Sequence, residues 1–406
     1  MVNKEIRKVA IVSAVRTPVG KFGESLKNFS PVQLGSIVLK DALKRANVHE
    51  IDVDEVIMGN VLQAGHGQNI ARQCSMGAGI PVGVPSYSIN KVCGSGLKSV
   101  ISGVQSVMLG DSEMVLAGGT ESMSQSAYVL KKARWGLKMG NDEIVDSMIS
   151  DGLWDIFNNY HMGVTAENVA TKYNVTREQQ DEFSANSQNK AEIAIKAGRF
   201  KDEIVPIEIP QLKGNPTIFS NDEFPRFGTT KETLAKLKPA FKKDGTVTAG
   251  NASGINDGAA AVLLMSEERA NERAETSGIK PLATIEGYGS YGVAPDIMGM
   301  GPVHAIRIAL ENANLSLGDI GLIELNEAFA SQSIAVIREL GLQEDMDKIN
   351  VNGGAIALGH PIGASGTRIF VTLLHEMQKR KCEYGVSALC IGGGQGIAII
   401  VKNCNV

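Results

Sequence analysis

The chain has 406 residues, too many for one small core, so two or three packed units around a large apolar interior are expected. Lys and Arg number 40 and Asp and Glu 44, and the formal charge of −4 offers no global attraction to nucleic acid or an anionic membrane; any anionic ligand must be held by local groups. The 5 cysteines, Cys74, Cys93, Cys382, Cys390 and Cys404, form no Cys-x-x-Cys pair and have no histidine at metal-ligand spacing, which argues against a disulfide framework or a structural metal and leaves each as a reactive thiol or a small buried hydrophobe.

Residues 1–15 carry Lys4, Glu5, Arg7 and Lys8 ahead of a short apolar run, with no long hydrophobic region and no small-residue cleavage site, so no secretory signal is read there. No apolar run approaches the roughly 18 residues of a membrane span, and a cytoplasmic protein that leaves membranes alone is expected. Residues 8–15 read as an apolar strand. In PVQLGSIVLKDALKRANV, Leu34, Ile37, Val38 and Ala42 fall on one helical face, and DEVIMGN follows as a strand ending at Asn60. Next come the loop CGSG with Cys93, a helix with Leu97, Val100, Ile101 and Val104 at helical spacing, and an apolar strand over 114–117 that runs into glycines.

From about residue 123 to 252 the character changes to polar helix and Pro-containing loops, with both tryptophans, Trp135 and Trp154, which reads as an insertion. Thr176 with Gln179 forms a capping box for a helix running toward Gly198. Residues 231–243 hold 5 lysines around Leu234, Leu237 and Phe241; by itself this is a solvated helix face with positive charge beside apolar surface.

The opening pattern then returns about 267 residues on. GPVHAIRIALENANL puts Ile306, Ala309, Leu310 and Ala313 on one face, and GLIELNE places Asn326 where Asn60 stood. GHPIGASGTRIFVTLLHEMQ and YGVSALCIGGG repeat the loop, helix and strand, so that Cys93 and His360 occupy equivalent places. Helices alternating with apolar strands such as 386–391 indicate an α/β fold with sheets covered on both faces. The expected division is an N-terminal half of 1–122 plus 253–279, an insertion of 123–252, and a C-terminal half of 280–406.

Cys93 lies just before a helix start, where backbone N–H groups and the macrodipole favour a thiolate; a buried cysteine at a tight turn explains the same segment equally well. His360 lies in NGGAIALGHPIGASG, too rich in glycine to be held whole by a helix or strand, which points to a shaped loop and a working base. Cys390 ends an apolar strand and reads locally as buried. Asn326, at the end of the strand over 322–325, can polarise an oxygen or cap the next helix. A pseudo-twofold between the halves would bring all four into one cleft. No G-x-G-x-x-G, G-x-x-x-x-G-K-[ST] or G-x-S-x-G motif occurs in a fitting context, which removes dinucleotide, triphosphate and serine-elbow chemistry.

SAVRTP at 13–18, NKVCGSG at 90–96, AGGTESMS at 117–124, YHMG at 160–163, TVTAGNASG at 246–254, NEAFA at 326–330, NGGAIALGHPIGASG at 352–366 and CIGGGQG at 390–396 together resemble the thiolase family over essentially the whole chain, and within it the acetyl-CoA C-acetyltransferases. The resemblance implies two βαβαβαββ halves packed in five layers, an inserted loop domain that binds coenzyme A, and a homotetramer built as a dimer of dimers. It implies reversible condensation of two acetyl-CoA to acetoacetyl-CoA and CoA, with coenzyme A as part of the substrate and no separate cofactor or metal. Cys93 resembles the nucleophile, His360 its base, and Cys390 the acid/base at the α-carbon or the leaving thiol. Asn326, through a water, together with His360 resembles one oxyanion hole, and the N–H groups of Cys93 and Gly392 the other. Arg226, Leu237, Phe241, Ala249 and Ser253 match coenzyme-contacting positions. His161 and Met162 match the pair at the acyl pocket of the short-chain type, and Met298, Ala328 and Phe329 are further expected substrate- or coenzyme-binding positions. Tyr291 departs from the pattern, standing where a smaller residue is common. A decarboxylating ketoacyl synthase and an inactive acyl-CoA carrier are the competing expectations.

Overall fold

The structure, a computed structural model, describes residues 6–406. The charged start at Lys4 and Glu5 lies outside the described residues. Strand β1 (Val9–Arg16) is buried along all 8 residues, as its unbroken apolar run requires. Helix α1 (Pro31–Arg45) starts on a capping box in which Ser30 accepts from Gln33 and buries Leu34, Val38 and Ala42. Strands β2 (Glu55–Gly59) and β3 (Ser86–Ile89), helix α2 (Ser95–Leu109) and strand β4 (Met114–Ser122) complete the first pattern.

The segment that follows contributes α3 (Met162–Lys172), α4 (Arg177–Lys196) and α5 (Lys231–Ala235). The capping box expected at Thr176 and Gln179 opens α4. The lysine run is not the helix face expected of it. The helix ends at Ala235, short of Pro239, which disfavours helix for Lys238 before it; Leu234 turns inward and Phe241 packs against another apolar cluster.

Strands β5 (Asn256–Ser266) and β6 (Ala283–Gly292), helix α6 (Gly301–Ala313), strand β7 (Leu322–Leu325), helices α7 (Ala330–Glu339) and α8 (Ile362–Arg380), and strands β8 (Tyr384–Ile391) and β9 (Gln395–Asn403) follow. The strands run in the order β7-β8-β9-β6-β1-β5-β4-β2-β3. The two halves mirror each other about the β1–β6 junction, where Ala10 and Ile11 pair with Thr284 and Ala283, so the two expected sheets are continuous through one narrow seam. Parallel pairing is confined to β3–β2–β4 and β7–β8; β5 and β9 return beside their predecessors as antiparallel strands.

Three apolar clusters define the layers. One lies under α1, one under α6 and α7, and the third surrounds α2 and α8 between the sheets. Helix α8 is buried on every side from Ile362 to Leu374, as a helix in a central layer must be. The starts of α2 and α8 touch backbone to backbone: a Cβ on Gly96 would fall 2.9 Å from Gly363 O, and one on Gly366 would fall 2.4 Å from Leu97 N. Only glycine allows that approach. Part of the glycine-rich run expected to be loop is therefore the first turns of a helix, and its small residues serve helix packing.

Candidate active site

Cys93 sits two residues ahead of α2, and His360 two residues ahead of α8. Each is preceded by a residue with positive φ, Val92 at +46° and Gly359 at +100°. Such a conformation is costly for a β-branched residue. It is held at Val92 by Asn90 Oδ1, which accepts from Val92 N at 3.0 Å, and by Ser95 Oγ, which accepts from Lys91 N at 2.8 Å and donates to Val92 O at 2.6 Å. Burial pushes the Cys93 thiol up to about 11, against the pull of the N–H groups of Gly392 and of Cys93 itself. Of the two readings open from sequence, this favours the buried thiol over the thiolate, since desolvation outweighs the helix terminus.

The His360 backbone N donates to Asn256 Oδ1 at 2.9 Å, and Asn256 Nδ2 donates to Gly20 O at 3.0 Å. His360 Nδ1 lies 2.5 Å from Ser365 Oγ, which donates its own hydrogen to Pro361 O at 2.9 Å. The proton between ring and hydroxyl is thereby assigned to Nδ1, leaving Nε2 as an acceptor. Burial, then the charge of Arg368, lowers the imidazole to about 3, so the ring is neutral. A thiol and a neutral imidazole with a free lone pair can serve as a nucleophile and its base.

Cys390, on β8, is fully buried in a cluster with Met162, Met298, Ala328 and Phe329. Burial raises its thiol well above the ordinary range, and the neighbouring Cys93 raises it further. Asn326 does not cap a helix, since α7 begins at Ala330 with Phe329 before it. Its side chain is fully buried, and neither Oδ1 nor Nδ2 has a hydrogen-bond partner among the described residues. Its counterpart Asn60 is used differently: Nδ2 is tied to Thr120 O at 2.8 Å and Glu121 Oε1 at 2.9 Å. A duplicated asparagine is thus structural in one half and left open in the other.

Cys93, His360 and Gly392 line one cavity of about 470 Å³, within the range of small-molecule sites. The buried side chains of Met162, Met298, Ala328 and Phe329 form part of its wall. His161 stacks on Phe241 with ring centroids 4.7 Å apart, and Phe241 meets Phe329 edge-on at 6.4 Å, making an apolar wall. Arg226, Ala249 and Ser253 also line it, and Arg226 is exposed.

Three expected positions do not line the cavity. Cys390 and Asn326 lie in the buried layer outside its lining, and Leu237 packs its Cδ1 over Gly250, next to Ala249. Tyr291 is outside as well: its ring stacks on His304 at 4.5 Å and is 47% exposed, so it does not shape the pocket. Lys21, Phe22, Met123 and Leu153 line the cavity without having been singled out from sequence, as do Asn256 and Ser365 in their support of His360. Among the described residues no group of three His, Cys, Asp or Glu could hold a metal ion, and no helix is long and apolar enough to cross a membrane.

Residues 9–268 match the family model described as the thiolase N-terminal domain, and residues 279–403 match the thiolase C-terminal domain. An acetyl-CoA acetyltransferase of Pseudomonas aeruginosa is 58% identical over 394 residues, covering 97% of this chain and 99% of the relative. One from Cupriavidus necator is 57% identical with the same coverage. Among solved structures, the Bacillus anthracis acetyl-CoA acetyltransferase superposes with a TM-score of 0.94 at 48% identity, covering 98% of this chain and 99% of that one. Human mitochondrial 3-ketoacyl-CoA thiolase superposes with a TM-score of 0.93 at 46% identity, covering 99% and 100%.

Proposed function

Because the chain belongs to the thiolase family, we infer that it is an acetyl-CoA C-acetyltransferase, which joins two acetyl-CoA into acetoacetyl-CoA and CoA and runs the reverse thiolysis. The observation that carries the reading is that Cys93 and His360, at matching places two residues ahead of α2 and α8, enter the same cavity.

The proposed sequence balances its protons. The Cys93 thiol gives its proton to His360 Nε2 and its sulfur attacks the thioester carbonyl of the first acetyl-CoA. The N–H groups of Cys93 and Gly392 hold the oxyanion. Collapse breaks the bond to the coenzyme thiolate, which takes a proton from Cys390 and leaves, so the acetyl group rests on Cys93. The Cys390 thiolate then removes an α-proton from a second acetyl-CoA. The enolate oxygen is held by protonated His360 Nε2 and by Asn326 through a water. Its carbon attacks the acetyl carbonyl, the carbon–carbon bond forms, and Cys93 leaves as a thiolate that recovers its proton from His360. All three groups end as they began, without a cofactor.

The finer assignments belong to the same proposal. Residues 123–252 form the coenzyme-binding insertion, with the exposed Arg226 offering charge to phosphate. The apolar walls around Met162, Met298 and Phe329 suit an acetyl or acetoacetyl group. A homotetramer is supported by the exposed apolar side chains of Tyr128, Trp135, Met139 and Ile144, a surface that other copies would cover. The five unpaired cysteines are compatible with the cytoplasm. A coenzyme A thiolysis assay across acetoacetyl-CoA and longer 3-ketoacyl-CoA substrates tests the reading. Activity should be highest on acetoacetyl-CoA and fall with chain length; equal turnover of long chains would contradict it.

A further inference from the structure

Glu121, next to last in β4, is fully buried and does not line the cavity. Both its oxygens are occupied by N–H donors from opposite halves of the molecule. Oε1 accepts from Asn60 Nδ2 at 2.9 Å and Leu62 N at 3.1 Å; Oε2 accepts from Val61 N at 3.1 Å and Gly363 N at 2.8 Å. No lysine or arginine is paired with it among the described residues.

The two sets of donors lead to the two reacting groups. Residues 60–62 follow directly on Gly59, whose backbone lies against the first residue of α2: a Cβ on Gly59 would fall 2.4 Å from the carbonyl carbon of Ser95. Val61 and Leu62 also share an apolar cluster with Cys93. Gly363 is the second residue of α8, three after His360. A Cβ there would fall 2.6 Å from Glu121 Oε2, so the helix start sits directly on the carboxylate.

We propose that Glu121 is a positioning residue that fixes the helix start behind His360 against the chain segment packed behind Cys93, and so sets the alignment of base and nucleophile. The carboxylate is well suited to this. It is acceptor-only when ionised and can receive all four donors at once, and Gly363 N belongs to a helix N-terminus, where negative charge is favoured. Burial raises its acid to about 7, and the N–H groups of Leu62, Val61 and Gly363 pull it back toward the carboxylate. Glu327 has a comparable place in the other half, accepting from Ser187 Oγ at 2.6 Å, Asn350 Nδ2 at 2.9 Å and Ile356 N at 3.2 Å, but it does not reach across to the Cys93 side.

This inference rests on the proposed acetyltransferase reading, and wild-type turnover tests that reading separately. Glu121→Gln turns one acceptor into a donor facing two N–H groups. Its kcat for acetoacetyl-CoA thiolysis should fall on the order of ten- to a hundredfold, because small misplacements cost that much, while KM stays within about threefold, since the coenzyme is held elsewhere. Glu121→Asp keeps the charge and should recover part of the loss. Independently of substrate, NMR of histidine-labelled enzyme should show the His360 ring signals displaced in Glu121→Gln. A folded Glu121→Gln protein with wild-type kcat and unmoved His360 signals would overturn the proposal. So would failure of both variants to fold, since that assigns the residue to stability alone.

Discussion

Ser365 orients His360. Its hydroxyl lies 2.5 Å from Nδ1 while its hydrogen goes to Pro361 O, and this leaves the other ring nitrogen unprotonated and free to act. Ser365→Ala removes one neutral hydrogen bond, worth about 1 kcal/mol, or roughly fivefold in rate. Steady-state thiolysis should show that loss in kcat with KM little changed. An unaltered kcat would mean that the ring is oriented without the hydroxyl.

Asn326 differs because its amide has no hydrogen-bond partner among the described residues. Asn326→Ala breaks no intramolecular side-chain hydrogen bond, so chemical denaturation should place its stability within about 1 kcal/mol of wild type. Activity should nevertheless fall roughly 10²- to 10³-fold, the cost of removing a donor from an oxyanion site. A large loss of stability with kcat retained would make the residue structural.

The resting site also has a distinctive pH dependence. Burial holds the Cys93 thiol at about 11 and the His360 imidazole at about 3, so between pH 5 and 9 the ring is neutral and the thiolate fraction grows about tenfold per pH unit. Iodoacetamide alkylation of Cys93 in the free enzyme should accelerate steadily across that range. A rate flat down to pH 5, as a preformed thiolate–imidazolium pair would give, would contradict the assignment.

Arg16 joins the inserted segment to the sheet. Its guanidinium donates to Glu203 Oε1 at 2.6 Å and to both oxygens of Asp222 at 2.7 and 2.9 Å, and all three side chains are buried. Arg16→Met strands two buried carboxylates, a change that costs roughly 3–5 kcal/mol. A denaturant titration should show it as a large drop in midpoint. A loss below about 1 kcal/mol would mean that the carboxylates find other partners or protonate cheaply.

Much of this architecture was legible in the sequence because apolar spacing is local. Leu97 to Val104 and Phe370 to Leu374 announced the two central helices, Thr176 with Gln179 announced a helix start, and the repeat placed Cys93 opposite His360. The supporting residues were not legible for the opposite reason. Glu121 reaches Gly363 across 242 positions and Asn256 reaches His360 across 104, so nothing in the neighbouring residues marks either as paired. Glu121 and Ser365 stood inside motifs that matched a family pattern, but a motif does not say what a side chain touches. The glycines near His360 misled in a different way. They read as loop because glycine is costly inside helices, yet Gly366 is helical because Leu97 of the other half lies against it. For Cys93 the sequence left thiolate and buried thiol equally open, because burial, which raises the thiol, is not visible in neighbouring residues.

The central claim is that Cys93 carries the acetyl group and Cys390 moves the proton that follows. The direct measurement is intact-protein mass spectrometry of Cys390→Ala mixed with acetyl-CoA, run beside Cys93→Ser. Cys390→Ala should hold one acetyl group on Cys93 while acetoacetyl-CoA formation falls roughly 10²- to 10⁴-fold, and Cys93→Ser should hold none. An acetyl group retained in full by Cys93→Ser, or undiminished condensation by Cys390→Ala, would contradict the account.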